Sequence, residues 1–240
     1  MKNNSRKIIV TGAANGIGRA TVIKLHNEGA TVFACDKDAT GLNTLEQEFP
    51  AINTFCLDIT DHAAVQSFFS SEEVKDAYGL VNNAGVYPGK HILDYTPEQI
   101  HQLILVNNTG AVYCTQFFAR NVLNNKRNGA IVNISSVSGQ HGSSDAIYGM
   151  TKAALLGLTK STAINFAPHI RVNAVAPGLV STGILKQIPP ARYEELRKNE
   201  LLPHSILPED IARSVYFLLS DDAKNITGIT LDVNNGQYIR

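Results

Sequence analysis

The sequence predicts an α/β fold, a doubly wound parallel sheet of seven strands with helices on both faces. Three observations carry this expectation. Short β-branched runs alternate along the chain with longer segments of helical period. The runs Ile8-Ile9-Val10 and Ala130-Ile131-Val132 are continuously apolar, as strands covered on both faces are. No Pro/Ser-rich linker, composition break or internal repeat divides the 240 residues, so 1–240 is read as one domain.

In chain order, strands are expected at 7–11, 30–36, 52–57, 79–82, 129–134, 170–175 and 229–233. Helices are expected near 16–28, 40–48, 61–70, 97–124, 147–166 and 208–220. The last has a start signal, Pro208 followed by Glu209 and Asp210 in the first turn. Only 178–207 falls outside the alternation. It carries Pro189, Pro190 and Pro203 among scattered apolar residues, and a connection of that length usually covers or binds something.

Composition narrows the function. Lys plus Arg and Asp plus Glu number 21 each, so no net field draws in nucleic acid or an anionic membrane. No stretch approaches the ~18 apolar residues of a membrane span, and the first apolar run is too short for a signal peptide. A cytoplasmic protein is expected. Cys35, Cys56 and Cys114 are widely spaced and read as small buried hydrophobes, not a disulfide framework. The seven histidines and the carboxylates form no ligand pattern, so no metal is expected.

The first strand runs into Thr11-Gly12-Ala13-Ala14-Asn15-Gly16-Ile17-Gly18 and then an amphipathic helix. Gly12 permits a tight turn, Gly16 lets backbone approach a pyrophosphate, and Gly18 lets the helix sit close to the strand. The helix N-terminus adds free N–H groups and a positive dipole end. Asp36, eighteen residues past Gly18 at the end of the second strand, stands where a carboxylate accepts from ribose hydroxyls. A 2′-phosphate beside it would meet like-charge repulsion of about 4 kcal/mol at 4 Å and an effective dielectric of 20, before solvent reduces it. Lys37 follows and would soften that rejection, but Asn15 is uncharged and offers no cationic clamp. NAD is therefore expected over NADP.

Tyr148-Gly149-Met150-Thr151-Lys152 places tyrosine and lysine on one helical face. A free phenol, with a pKa near 10, is a poor proton shuttle at neutral pH. A nearby ammonium is expected to lower that value.

These features stand in order with others: Asp58-Ile59, Asn82-Asn83-Ala84-Gly85, Asn107, Asn133-Ile134-Ser135-Ser136, and Pro177-Gly178 with Thr182. The series closely resembles the short-chain dehydrogenase/reductase family, a Rossmann-fold family, from Lys7 to about Gly236. The resemblance implies a hydride transfer between a nicotinamide cofactor and a carbonyl or alcohol carbon. It makes Tyr148 the general acid/base and Lys152 its partner, which also holds the nicotinamide ribose. Ser136, with Ser135 as the alternative, would bond the substrate oxygen. Asn107, with Asn108 as the alternative, would support a proton-relay water. Asn15, Gly16, Ile17 and Gly18 would meet the pyrophosphate, and Asp58 and Ile59 the adenine. Asn83, Ala84 and Gly85 would line the cofactor cleft. Pro177, Gly178, Thr182 and the backbone of Val180 would border the nicotinamide.

The chain departs from the family pattern at Asn234-Asn235-Gly236, where Asp-Gly-Gly is more usual. Tyr87 and His141 are read either as substrate-facing or as plain loop residues. The segment 183–206 would cover the substrate, with Ile184, Leu185, Ile188, Leu201 and Leu202 as an apolar lid or as core anchors. Beside the NAD-linked reading stand a 3-oxoacyl-acyl-carrier-protein reductase using NADPH, with acyl carrier protein as partner, and a non-catalytic dinucleotide sensor. Family members commonly assemble through the helices at 97–124 and 147–166, so a homotetramer or homodimer is expected.

Overall fold

A computed structural model describes residues 6–183 and 190–239. Seven parallel strands form one sheet: β1 (Lys7–Thr11), β2 (Thr31–Asp36), β3 (Asn53–Cys56), β4 (Gly79–Asn82), β5 (Gly129–Ile134), β6 (Ile170–Pro177) and β7 (Thr230–Val233). Their order across the sheet is β3-β2-β1-β4-β5-β6-β7. Ile9 is paired with both Phe33 of β2 and Leu80 of β4, so β1 lies where the winding direction reverses. Crossovers leaving β1 and β4 diverge there and leave a crevice above the strands' C-terminal ends.

Alternate residues of each strand feed opposite layers, as the two-residue repeat requires. Ile8, Val10, Val32 and Val81 pack with Val22 and Leu25 of α1 (Gly16–Asn27), Leu42 and Leu45 of α2 (Ala39–Glu48) and Ile211, Val215 and Leu218 of α9 (Pro208–Leu219). Ile9, Phe33, Leu80 and Ile131 pack the other way. Their partners are Val65, Phe68 and Phe69 of α3 (His62–Ser70), Phe117 and Phe118 of α5 (Gly110–Asn124) and Ala163 of α7 (Ala146–Asn165). The doubly wound architecture expected from the strand pattern is the one observed.

The single helix expected over 97–124 is three pieces: α4 (Pro97–Ile104), a π-helical turn at Leu105–Thr109, and α5. The segment expected as loop contains α8 (Pro190–Arg197), and a four-residue turn, α6 (Ser138–His141), precedes α7. Cys35 and Cys114 are buried as expected, but Cys56 is exposed, because β3 is the edge strand. No helix among the described residues is long and apolar enough to cross a membrane.

Candidate active site

The loop after β1 is stitched to the end of β4 before any ligand is considered. The Thr11 hydroxyl donates to the Val81 carbonyl at 3.2 Å and accepts the backbone N–H groups of Asn83 (3.1 Å) and Ala84 (3.2 Å). The Asn83 amide donates to the carbonyls of Thr11 and Gly12 at 3.0 and 2.9 Å. That contact requires two glycines. A Cβ on Gly12, which has φ +65°, would lie 2.7 Å from Ala84 Cα, and one on Gly18 would lie 1.9 Å from the Gly12 oxygen. Gly16 has φ +54°, and its nearest neighbour for a Cβ is Thr182 at 3.4 Å, so its backbone faces open space.

Asn15 is the N-cap of α1 but makes no capping hydrogen bond, and its amide donates to Asp38 Oδ2 at 3.1 Å. The first turn of α1 thus presents N–H groups with no side-chain cap and no acidic side chain. Asp36, at the end of β2, accepts the Ala14 N–H at 2.9 Å and the Asp38 N–H at 3.0 Å. Asp58 accepts both the backbone N–H (2.9 Å) and the hydroxyl (2.7 Å) of Thr60, which hold its carboxyl below the ordinary range.

One cleft of about 520 Å³ is lined by Gly12, Asn15, Gly16, Ile17, Asp36, Asp58, Ile59 and Asn83–Gly85. The same cleft is lined by Ser135, Ser136, Tyr148, Lys152, Pro177, Gly178, Val180 and Thr182. The ordered residues expected from the sequence are therefore gathered in space, apart from Gly18, which packs beneath the loop, and Asn107.

Asn107 is fully buried in the π-helical turn. Its Oδ1 accepts the Val86 N–H at 2.8 Å, and its Nδ2 donates to the Val86 carbonyl at 3.0 Å and the Thr151 hydroxyl at 3.1 Å. The neighbouring Asn108 amide donates to the Thr151 carbonyl at 2.8 Å. Gly85 lies between Asn107 and Lys152, since a Cβ there would stand 3.3 Å from Asn107 Oδ1 and 3.4 Å from Lys152 Nζ.

Tyr148 and Lys152 share one face of α7, with Nζ 5.7 Å from the phenol ring centroid. The Ser136 side chain lies within reach of the Tyr148 phenol and acts on it, opposing the rise that burial causes. Ser135 turns the other way and donates to the Lys152 carbonyl at 2.7 Å. Of the two serines, Ser136 is the one that meets the phenol.

One expectation is corrected here. Burial pushes Tyr148 up to about 12, with Tyr87 and Asp145 adding to the rise and the Ser136 hydrogen bond opposing it. Burial also brings Lys152 down to about 8. The ammonium donates to the Ile134 carbonyl at 3.0 Å, not to the phenol, so desolvation outweighs its attraction for a phenolate.

Beyond β6, the Gly178 N–H donates to the Val233 carbonyl (3.0 Å), and Val180 bridges Ile206. Tyr87 sets its ring edge-to-face against Tyr148, centroids 4.8 Å apart and planes at 73°. Both Tyr87 and His141 line the cleft. Leu201 and Leu202 do not cover it: they are 69% and 51% exposed. The Leu201 backbone instead bonds the Asn235 carbonyl, and its side chain packs against Gly236. Ile184, Leu185 and Ile188 lie outside the described residues.

Leu196 of α8, within the 183–206 segment expected to cover substrate, lines the cleft, as do Ser138 and Ser143, which the sequence did not single out, and Gln237, which it missed. Sequence reasoning also missed Asp145, the buried N-cap of α7. An Asp just before a helical run was a signal that could have found the last.

A family model described as enoyl-(acyl carrier protein) reductase matches residues 12–237. A 3-oxoacyl-[acyl-carrier-protein] reductase of Thermotoga maritima is 33% identical over 100% of both chains. The L-xylulose reductase of Homo sapiens is 35% identical over 96% of both. A solved short chain dehydrogenase/reductase family protein superposes with a TM-score of 0.88 at 31% identity, covering 99% of each chain.

Proposed function

The chain belongs to the short-chain dehydrogenase/reductase family and is an oxidoreductase of CH–OH and C=O groups that takes a nicotinamide cofactor; from that premise we propose NAD(H) as the cofactor and Tyr148 as the general acid/base. The observation that carries the reading is the pair Ser136 and Tyr148 lining, with Lys152, the same cleft as the glycine loop and Asp36. A non-catalytic sensor would need neither that pair nor Lys152.

The residues present fit a dinucleotide. Any Cβ at Gly12 or Gly18 would close the loop, and the uncapped first turn of α1 suits a pyrophosphate between Asn15, Gly16 and Ile17. Asp36 would accept from the adenosine ribose, with Asp58 and Ile59 beside the adenine. Lys152 would hold the other ribose, and Pro177, Gly178, Val180 and Thr182 the nicotinamide end. When bound, the nicotinamide supplies or accepts the hydride.

The chain's own groups handle the oxygen and its proton. Ser136 and Tyr148 donate hydrogen bonds to the substrate oxygen as negative charge grows on it. In reduction Tyr148 gives its phenolic proton to that oxygen, and in oxidation it takes the proton back. With a pKa of about 12 the phenol is protonated at neutral pH, ready to donate, while Lys152 at about 8 remains largely cationic beside it. Asn107 ties the loop of Val86 to α7 behind the pair.

Preference for NAD(H) follows from charge. Asp38 adds a second carboxylate to Asp36 at the ribose end, held there by Asn15, and Lys37 is the opposing cation. Thermal unfolding with saturating NAD, NADH, NADP and NADPH tests this. At about 100 times Kd a bound ligand adds ~2.7 kcal/mol, roughly 5–10 °C for a chain of this size. The expected shift appears with NAD(H). A larger shift with NADPH would overturn the assignment. It would bring forward the second reading, a 3-oxoacyl-acyl-carrier-protein reductase, favoured by the full-length likeness to the Thermotoga protein.

A further inference from the structure

Asp145 lies outside every motif above, three residues before Tyr148, and is 1% exposed. Its Oδ1 accepts the Tyr148 backbone N–H at 3.0 Å and caps α7. Its Oδ2 accepts the Lys90 backbone N–H at 3.1 Å and the Tyr95 hydroxyl at 2.7 Å. One carboxylate therefore grips two pieces of chain: the helix that carries Tyr148 and Lys152, and the stretch 86–95 that leaves β4 at the cleft.

That stretch is held at both ends. Val86 is clasped by Asn107 through its N–H and its carbonyl, and Lys90 and Tyr95 are clasped by Asp145. Between them Gly89 has φ +67°, and the Tyr87 ring rests within 3.4–3.6 Å of a would-be Cβ there. The opposite contact of Tyr87 is Tyr148.

Capping alone does not call for a buried charge, because asparagine caps a helix as well as aspartate does. Taking a carboxylate out of water is costly, and these three partners are neutral donors. What asparagine cannot do is accept at both ends: its amide nitrogen would face the Lys90 N–H. The carboxylate is required by the second grip.

We propose that Asp145 is a positioning residue that locks the 86–95 stretch to the N-terminus of α7, and so sets the spacing of Tyr87 and Tyr148 at the substrate end of the cleft. Its catalytic consequence rests on Tyr148 being the acid/base; the lock itself does not.

Two variants test it, Tyr95→Phe, which removes one donor and leaves the cap intact, and Asp145→Asn. Amide hydrogen exchange, which needs no substrate, is compared over 86–95 and over β1–β2 in NADH-saturated protein. Steady-state reduction is measured on the ketone that wild type turns over fastest among 2,3-butanedione, hydroxyacetone and ethyl acetoacetate. The expected result is exchange over 86–95 on the order of tenfold faster in both variants, with β1–β2 unchanged. Ketone KM rises on the order of tenfold while NADH KM stays within twofold.

A pH profile separates positioning from mere support. The Asp145 charge favours the neutral phenol of Tyr148, which also faces Tyr87, Ser136 and Lys152. Removing that charge moves the acid limb of alcohol oxidation to lower pH in Asp145→Asn. Wild-type exchange over 86–95 and wild-type ketone KM in Tyr95→Phe overturn the proposal, whatever happens to the melting temperature and even if Asp145→Asn does not fold. A Tyr148→Phe enzyme with normal turnover would sink the acid/base reading instead, and exchange would still judge the lock.

Discussion

Ser135 and Ser136 are adjacent and chemically identical, yet the fold gives them different partners. The Ser135 hydroxyl satisfies the Lys152 carbonyl, while the Ser136 side chain lines the cleft and acts on the Tyr148 phenol. In the proposed mechanism, removing Ser136 deletes a donor to the developing oxyanion. Ser136→Ala is expected to lower kcat on the order of 10²–10³-fold with little change in melting temperature. Ser135→Ala is expected to cost about 1 kcal/mol of stability and to leave kcat within a few-fold. Steady-state kinetics and thermal unfolding of the two variants check this, and the reverse pattern would move the role to Ser135. At this scale the sequence showed residue types and spacing but not direction. Side chains at the end of β5 point to opposite sides, and no pattern in Ser-Ser says which way each faces. Spacing likewise showed Tyr148 and Lys152 on one face, whereas the shift of both groups toward their neutral forms depends on burial.

The strands and most helices were legible because continuous apolar runs and 3.6-residue periodicity are strong local signals. The π-helical turn was not. No residue type or proline in Leu105–Thr109 announces the extra residue. Its consequence is visible at Gly110, where a Cβ would lie 2.6 Å from Ile59, and at Asn107, which the turn holds inside the fold. The long helices were expected to pack against another subunit. Phe117, Phe118 and Leu155 go to the chain's own core, but Val112 of α5 and Met150 and Ile164 of α7 are 42%, 48% and 79% exposed. We infer that these outward faces meet in a homodimer or homotetramer. Light scattering is expected to give a multiple of the 26.0 kDa chain mass, reduced by Ile164→Glu. A monomeric wild type would contradict it.

Across the whole molecule, the candidate site collects at one edge. The glycine loop follows β1, Asp36 ends β2, Asn83 follows β4, Ser136 follows β5 and Pro177 ends β6. A parallel sheet brings these ends to the same side, and the reversal at β1 opens the crevice between them. This is why motifs scattered along the chain, read as one site through the family resemblance, meet in one cleft. The end of the cleft proposed for substrate was less legible. It is built from α6, α8 and the C-terminal Gln237, which come together only through tertiary packing and carry no shared spacing. The proposed chemistry depends on a single phenol. The direct test is therefore Tyr148→Phe, which keeps the ring in place against Tyr87 and deletes only the proton. NADH binding is measured by nucleotide fluorescence, and turnover of the small ketones by loss of reduced-nicotinamide absorbance. The expected result is NADH affinity within about twofold of wild type and kcat lower by roughly 10²–10⁴-fold. Wild-type turnover in that variant would contradict the assignment of Tyr148 as the acid/base.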